Sequence, residues 1–465
     1  MLAVTACQPD DDTGKSGVKA TDKEVNEWIE TTLRKNYLWY DEIPDKAKLN
    51  YYTAPETFFT SLLSLKDGKD MNGGHHYFST IEKKEETTKA ASNVNSTYGF
   101  EYALGNGVFY ASQKINAAWV LYVLPDSPAS EAGLKRGDWI IGVNSDTPNI
   151  TDFSELSAGA AATFYLGKYS DQEGALVPDR KIQIAAARDV EDTPFLLDTV
   201  YTQYGKRIGY LVYNHFSAGP DEDNTKDVTY NTRMKEIFNR FEIQGVEEFV
   251  LDLRFNGGGL LTCAQLLSSL LAPSEALGKP FCVTVSNPVR NQRKEYPFLK
   301  QNELGSGNLN LKRLYVLTGQ QTASSSEAVI NCLIPYMGRE NIRLIGMKTI
   351  GKAVGSEPFG EDGEYGYLLH PITLRIYNTD GNADYENGFV PDEEINEITF
   401  GNTLYPLGDV REYLLSRALT RITGRSSFAA SPAVTKGAAE APAVRFTYNS
   451  LDRKIRNSII VPPTE

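Results

Sequence analysis

The sequence is poor in the residues that build metal centres and disulfide frameworks. Among 465 residues there are four cysteines and four histidines. No two cysteines form a CxxC pair and no HExxH occurs, so a zinc site has little support. Cys263 and Cys332 fall in segments expected to form buried helices, where a thiol behaves as a small hydrophobe, and no disulfide framework is expected. No run of about 18 apolar residues exists, so nothing reads as a transmembrane helix. The phosphate-cradling signatures GxxxxGK[ST] and GxGxxG are both missing. There is no dense block of Lys and Arg either. The chain has 47 basic and 60 acidic residues and a net charge of −13, a surface that the phosphates of nucleic acid would repel. No nucleic-acid partner is expected.

What is present is ordinary globular usage, 41% apolar and 23% charged, at a length that suggests two to four domains. Thr21-Asp-Lys-Glu24 is a capping box, and Val25, Trp28, Ile29 and Leu33 follow it with helical spacing. A second helix is expected from Pro55, carrying Phe58, Phe59, Leu62 and Leu63. These segments make residues 21–95 a small helical domain that ends in a polar stretch. At the other end, residues 426–465 begin as an Ala/Ser/Pro-rich stretch that reads as a poorly ordered tail.

Residues 1–7, Met-Leu-Ala-Val-Thr-Ala-Cys, resemble the end of a bacterial lipoprotein signal, with Val4-Thr5-Ala6-Cys7 as the lipobox. Gln8-Pro-Asp-Asp-Asp12 would then open a polar tether through residue 20. The basic start and most of the apolar stretch of such a signal are missing. The expectation is a lipid on Cys7, contact with a membrane only through that anchor, and a place in the bacterial cell envelope.

Residues 96–192 read as short strands and turns. Within them, Tyr98-Gly-Phe-Glu-Tyr102 precedes Ser127-Pro-Ala-Ser-Glu-Ala-Gly-Leu-Lys-Arg-Gly-Asp-Trp-Ile-Ile-Gly-Val-Asn144. The second stretch encodes a brief helix over 128–132, with Gly133 just past its end, and then a strand over 139–143. The pattern resembles a PDZ domain of the kind found in bacterial envelope proteases. The resemblance implies that Tyr98, Gly99 and Phe100 form a loop that receives a peptide's terminal carboxylate, and that the adjacent strand edge pairs with the peptide.

From about residue 193 to 425, apolar strands alternate with helices, which predicts helices packed on a mostly parallel sheet. Three segments follow buried strands, where sites form in such sheets. In Asp252-Leu-Arg-Phe-Asn-Gly-Gly-Gly-Leu260, consecutive glycines free the backbone to present N–H groups. That suits an oxyanion hole, a phosphate or simply a tight turn. In Thr322-Ala-Ser-Ser-Ser-Glu-Ala328, a serine at a helix N-terminus is either a nucleophile in a favourable field or a plain cap, with Glu327 closing a capping box on Ser324. In Gly346-Met-Lys-Thr-Ile-Gly-Lys-Ala-Val-Gly355, a lysine could serve as base only if desolvated; Lys352 fits and Lys348 competes.

In order, DLRxNxGG, TASxSE and GxxTxGK resemble the C-terminal processing peptidases, or tail-specific proteases, which are serine–lysine peptidases. The stretches 372–381 and 388–392 resemble two further signatures of that family. The fold this implies is a multidomain α/β protein: the helical N-terminal domain, a PDZ-like β-rich domain and a crotonase-like α/β peptidase core.

By position, the resemblance makes Ser324 the nucleophile and Lys352 the general base. Gly258 and the Ser325 N–H become the oxyanion donors. It implies no cofactor and no metal, and substrates that are proteins or peptides with exposed C-termini. By analogy, the PDZ unit would gate the site through the linker near residues 188–194.

Three departures stand out. Gly257 replaces a usual proline, and the serine-to-lysine spacing of 28 residues is a few longer than usual. Ser356 stands where a glutamine often orients the lysine, leaving Ser356 or Glu357 as the third member. A serine–histidine system on His370 or His215, an inactive peptide-binding scaffold, and an acyl-CoA enzyme on the same core remain the alternatives.

Overall fold

The computed structural model describes residues 20–71, 74–84, 96–220, 226–361, 363–425, 444–451 and 459–460. Cys7 and its tether, the polar stretch 85–95 and most of the Ala/Ser/Pro-rich stretch lie outside the described residues.

The N-terminal unit opens on the helix Asp22–Asn36. Its capping box is closed: the Thr21 N–H donates to Glu24 Oε2 at 2.7 Å, and the Glu24 N–H to Thr21 Oγ1 at 3.4 Å. Val25, Ile29 and Leu33 face inward against Phe58 and Phe59 of the helix Pro55–Ser61. The unit is not purely helical. After the second helix the chain runs through short strands, and Thr80–Lys83 pairs antiparallel with Tyr367–His370 of the peptidase core. Val354, Leu369 and Ile372 of that core lie in the same apolar cluster as Ile29 and Phe58. A helical stripe alone could not show that this domain completes its core on a neighbour.

The second unit is a curled sheet in the order Arg445–Asn449, Phe100–Tyr110, Gln113–Val123, Trp139–Val143, Ala162–Ser170, Ala175–Ile184. Tyr110 meets Leu176, bringing the long hairpin back to the last strand. The brief helix Pro128–Glu131 and Gly133 at φ +78° sit where the sequence places them. Ser96–Thr97 and Arg188–Asp189 pair antiparallel, so the chain enters and leaves this unit at one point. The tail holds order beyond residue 443: Arg445–Asn449 is a strand of this sheet, and Ile459–Ile460 joins a sheet of the core.

The core sheet runs Phe195–Gln203, Lys206–Tyr213, Glu248–Asp252, Leu314–Thr318, Ile342–Gly346, Glu393–Glu394, and every pairing after the first is parallel. Alternation along these strands feeds two layers. Leu251, Val316 and Leu344 pack under the helices Thr229–Ile243, Leu261–Leu271 and Ser325–Met337. Val250, Leu317 and Ile345 pack on Tyr413–Thr423, which ends at Gly424 in the left-handed conformation. Burial on both faces explains why these strands read as continuous apolar runs. The three motif loops all leave the carboxyl ends of neighbouring parallel strands.

Candidate active site

Asn256 organises the glycine loop. Its Nδ2 donates to Tyr213 O at 2.9 Å, and its backbone carbonyl accepts from the Ala323 N–H and from Ser326 Oγ, both at 3.1 Å. The loop is thereby tied to the serine segment on the next strand. A Cβ at Gly258 (φ +111°) would lie 2.6 Å from Ser324 Cβ, and one at Gly259 (φ +135°) would lie 2.3 Å from Phe216 O. Glycine is required at both positions by conformation and by space.

Ser324 is fully buried, with φ +63° and ψ −117°. A non-glycine residue held there costs about 1–3 kcal/mol. Its N–H donates to Glu327 Oε2 at 2.9 Å, which is half of the expected capping box. The other half is loose: the Glu327 N–H faces the Ser324 side chain without meeting hydrogen-bond geometry, and among the described residues the hydroxyl has no hydrogen-bond partner. An ordinary N-cap has extended backbone and spends its side chain on the helix; this one keeps its oxygen uncommitted.

Glu327 is more than a cap. Oε2 also accepts the Lys352 N–H at 2.8 Å, while Oε1 accepts Thr349 Oγ1 at 2.5 Å and the Gly351 N–H at 2.7 Å. One buried carboxylate therefore fixes the backbone of both Ser324 and the lysine loop. From the far side, a Cβ on Gly388 would come 2.0 Å from Thr349 O, and the Phe389 N–H donates to Thr349 Oγ1 at 2.7 Å. The downstream Gly388-Phe389 signature is thus packed against the lysine loop.

Lys352 is completely buried and its Nζ has no hydrogen-bond partner among the described residues, so Nζ and Ser324 Oγ are not bonded to each other. Nζ lies 4.5 Å from the centroid of the Phe78 ring. Burial lowers its pKa from the ordinary 10.5 to about 8, against the opposing pull of Asp67 first and Glu327 second. Asp67 is itself buried. It accepts the Phe78 N–H at 3.0 Å, the Ser79 N–H at 3.1 Å and the Tyr37 hydroxyl at 2.9 Å, and it also accepts from Ser79 Oγ. Ser79 Oγ in turn accepts the Ile372 N–H at 2.8 Å. The N-terminal domain thus supplies both the ring over the lysine and the charge that pulls on it most. Neither Asp67 nor Phe78 carries a motif, and the sequence reading missed both.

The remaining candidates separate. Lys348 is exposed. Ser356 is buried with a hydroxyl that has no partner among the described residues, while Glu357 is held by Arg290, with Arg290 Nη2 at 3.1 Å from Glu357 Oε1 and a second contact through Nη1. His370 lies on the strand Tyr367–His370 opposite Thr80, and burial lowers its pKa. His215 is half-buried on the segment whose next residue, Phe216, donates its N–H to Gly258 O at 2.9 Å.

Of the two oxyanion candidates, Ser325 is the first residue of its helix, so its N–H has no intrahelical acceptor. The Gly258 N–H donates to Asn256 Oδ1 at 2.9 Å and must be released before it can serve a substrate. In the PDZ-like unit, Tyr98 and Phe100 are buried. The Gly99 N–H donates to Thr97 Oγ1 at 3.0 Å, and a Cβ on Gly99 would strike Ser127 at 2.3 Å.

A buried ion-pair network joins this unit to the core. Arg254, the arginine of Asp252-Leu-Arg254, bonds Asp252 at 2.7 Å, Glu397 at 2.8 Å and Glu412 at 2.5 Å. Arg136, from the Gly-Leu-Lys-Arg-Gly-Asp turn, reaches Glu397 at 2.6 Å and the carbonyls of Tyr405 at 2.9 Å and Leu121 at 2.7 Å. A cavity of about 520 Å³ opens beside it, walled by Lys69 from the N-terminal domain, Ala103 and Leu121 from the PDZ-like unit, and Thr349 and Ile350 from the lysine loop.

Comparison with known proteins places this constellation. Residues 207–395 match Peptidase family S41, residues 24–80 match the Peptidase S41 N-terminal domain, and residues 119–162 match the PDZ domain. An S41 protease from Bacteroides fragilis superimposes with a TM-score of 0.73 at 34% identity, over 85% of this chain and 97% of that one. The chain belongs to peptidase family S41. It is also 27% identical over 318 residues to the carboxyl-terminal-processing protease of Picosynechococcus sp., covering 67% of this chain and 68% of the relative. With the tail-specific protease of Haemophilus influenzae it shares 26% over 295 residues, 59% of this chain and 38% of the relative. The protein is a serine-type peptidase of the C-terminal processing group, and its substrates are proteins or peptides.

Proposed function

We propose that this S41 peptidase is an endopeptidase in which Ser324 is the nucleophile and Lys352 the general base. One observation carries the reading. Two fully buried side chains, Ser324 and Lys352, keep their polar atoms uncommitted, while a single carboxylate, Glu327, clamps the backbone N–H of both. Burial supplies the chemistry. At about pH 7, a lysine with a pKa near 8 is about one-tenth neutral, whereas at 10.5 the neutral fraction is about 0.03%.

Neutral Lys352 takes the proton from Ser324 Oγ as the oxygen attacks the substrate carbonyl carbon. The oxyanion forms at the N-terminus of the helix Ser325–Met337, where the Ser325 N–H and the helix dipole favour negative charge, with Gly258 joining once Asn256 lets go. The lysine ammonium then gives its proton to the leaving amine. Water, deprotonated by the neutral Lys352 amine, attacks the ester, and the lysine returns that proton to Ser324 Oγ as the acid leaves. The gap between the two side chains fits a resting site that tightens around substrate.

The PDZ-like unit would recognise exposed C-terminal tails through the loop at Tyr98, Gly99 and Phe100 and the strand edge beside it. Cys7 would carry a lipid that holds the enzyme in the bacterial envelope, a reading that rests on Val4-Thr5-Ala6-Cys7 alone; intact-mass measurement of membrane-extracted protein tests it. Cleavage of an unfolded substrate tests the dyad: Ser324→Ala and Lys352→Ala should each abolish it, and full activity in Ser324→Ala ends the assignment. The bound Gly258 N–H and the unpartnered Ser356 favour one other reading, a peptide-binding scaffold without turnover. Tail-peptide binding with no cleavage by the wild type would establish it.

A further inference from the structure

The strand that follows the Tyr98-Gly99-Phe100 loop has two edges. One is paired along Phe100–Tyr110 with Gln113–Val123. The opposite edge is where an added peptide strand would join the sheet. It is already taken by the protein's own C-terminal segment. Arg445–Asn449 lies on it antiparallel, with Arg445 opposite Asn106 and Asn449 opposite Ala103, so the chain runs towards the loop as an incoming tail would. Ser450 then reaches Tyr102, whose N–H donates to its Oγ at 2.9 Å, and passes its own hydrogen bond to Glu101.

Apolar contacts hold the segment down. Leu451 is fully buried, and Phe446 stacks 5.9 Å from Trp119 and 6.3 Å from Trp139. Phe446 and Asn449 also wall the cavity that reaches Thr349 and Ile350 of the lysine loop. Further on, Ile459–Ile460 pairs parallel with Gly355 and Ser356, just beyond Lys352. The same segment adds a strand at the peptide-docking edge and another beside the proposed dyad.

We propose that the chain's own C-terminal strands occupy the peptide-docking edge in cis and exclude substrate tails until they are displaced. This rests on the reading of the PDZ-like unit as a tail binder. A tail that competes in cis lowers the apparent affinity for an external peptide by the fraction of time the edge is open. If the edge is open a tenth of the time or less, freeing it tightens binding by about tenfold or more.

The probe is a fluorescent extended peptide with a free carboxylate and three apolar C-terminal residues, titrated into full-length Ser324→Ala protein. The comparison protein carries Phe446→Ser and Leu451→Ser as well. The expected result is a Kd at least about tenfold lower in the tail-loosened protein, with the synthetic segment 444–451 added in trans restoring the weaker binding. Ser450→Ala removes only the hydroxyl bridge and leaves the sheet's apolar packing in place, so it guards against misfolding; it should tighten binding about fivefold, the equivalent of one hydrogen bond. Equal affinity in all the proteins overturns the proposal and leaves tail recognition standing. No binding to any of them, while the wild-type protein still cleaves an unfolded substrate, overturns both.

Discussion

Replacing Lys352 by methionine should make the protein more stable while removing its activity. The ammonium of Lys352 is fully buried, and its pKa falls from 10.5 to about 8 even though Asp67 and Glu327 favour the charged form. A folded pKa below the unfolded one means that the unfolded chain binds more protons between those values. Stability therefore rises with pH through the window from about 8 to 10.5 and is lower throughout the range beneath it. The 2.5-unit difference corresponds to about 3 kcal/mol lost at neutral pH. The carboxylates' attraction is already inside that net shift, so it does not offset the gain a second time. Methionine has nearly the same length and takes no proton, so the variant escapes the penalty. Urea unfolding at about pH 7 should favour Lys352→Met by about 3 kcal/mol, with the gap closing to a few tenths by about pH 10.5. A variant less stable than wild type at neutral pH, or a gap that does not change with pH, would refute the reasoning.

Other substitutions probe the parts around the lysine. Asp67→Asn removes the leading charge that holds the lysine protonated, so the acid limb of kcat/KM should move below its wild-type position near pH 8; movement upward contradicts that role. Gly258→Ala places a Cβ 2.6 Å from Ser324 Cβ at φ +111°, and should cost about 1–2 kcal/mol in backbone strain and most of the activity, read by thermal melting and peptide cleavage. Arg136→Met leaves Glu397 and Glu412 with Arg254 alone; it should destabilise by about 3–5 kcal/mol and speed proteolysis near residues 188–194, where the PDZ-like unit joins the core. His215→Ala and His370→Ala should each retain cleavage, and loss of activity with intact folding in either would reopen a serine–histidine system.

Much of this architecture was legible because its signals are local. Apolar runs marked the parallel strands, Gly133 marked a helix end, and three short motifs marked the loops after the strands. What stayed hidden depends on residues far apart in sequence. Asp67 and Phe78 reach Lys352 only because Thr80–Lys83 pairs with Tyr367–His370 and Ser79 binds the Ile372 N–H. Glu327 reads from sequence as a helix cap, since three of its four bonds go to a loop more than 20 residues on. Arg136 carried no assignment from the sequence, and its carboxylate partners lie about 260 and more residues away. The strand Arg445–Asn449 follows a stretch whose composition suggests a loose tail, and its pairing with Phe100–Tyr110 and the stacking of Phe446 on Trp119 come from residues over 300 positions away.

The central claim is that burial makes Lys352 the base that activates Ser324. The most direct test is the rate at which a fluorophosphonate labels Ser324, followed against pH in wild type and in Lys352→Ala. Modification at Ser324 should rise with pH to a midpoint near 8 in wild type, and the variant should react more slowly by orders of magnitude and without that midpoint. Equal labelling of the two proteins, or a label on another serine, would contradict it.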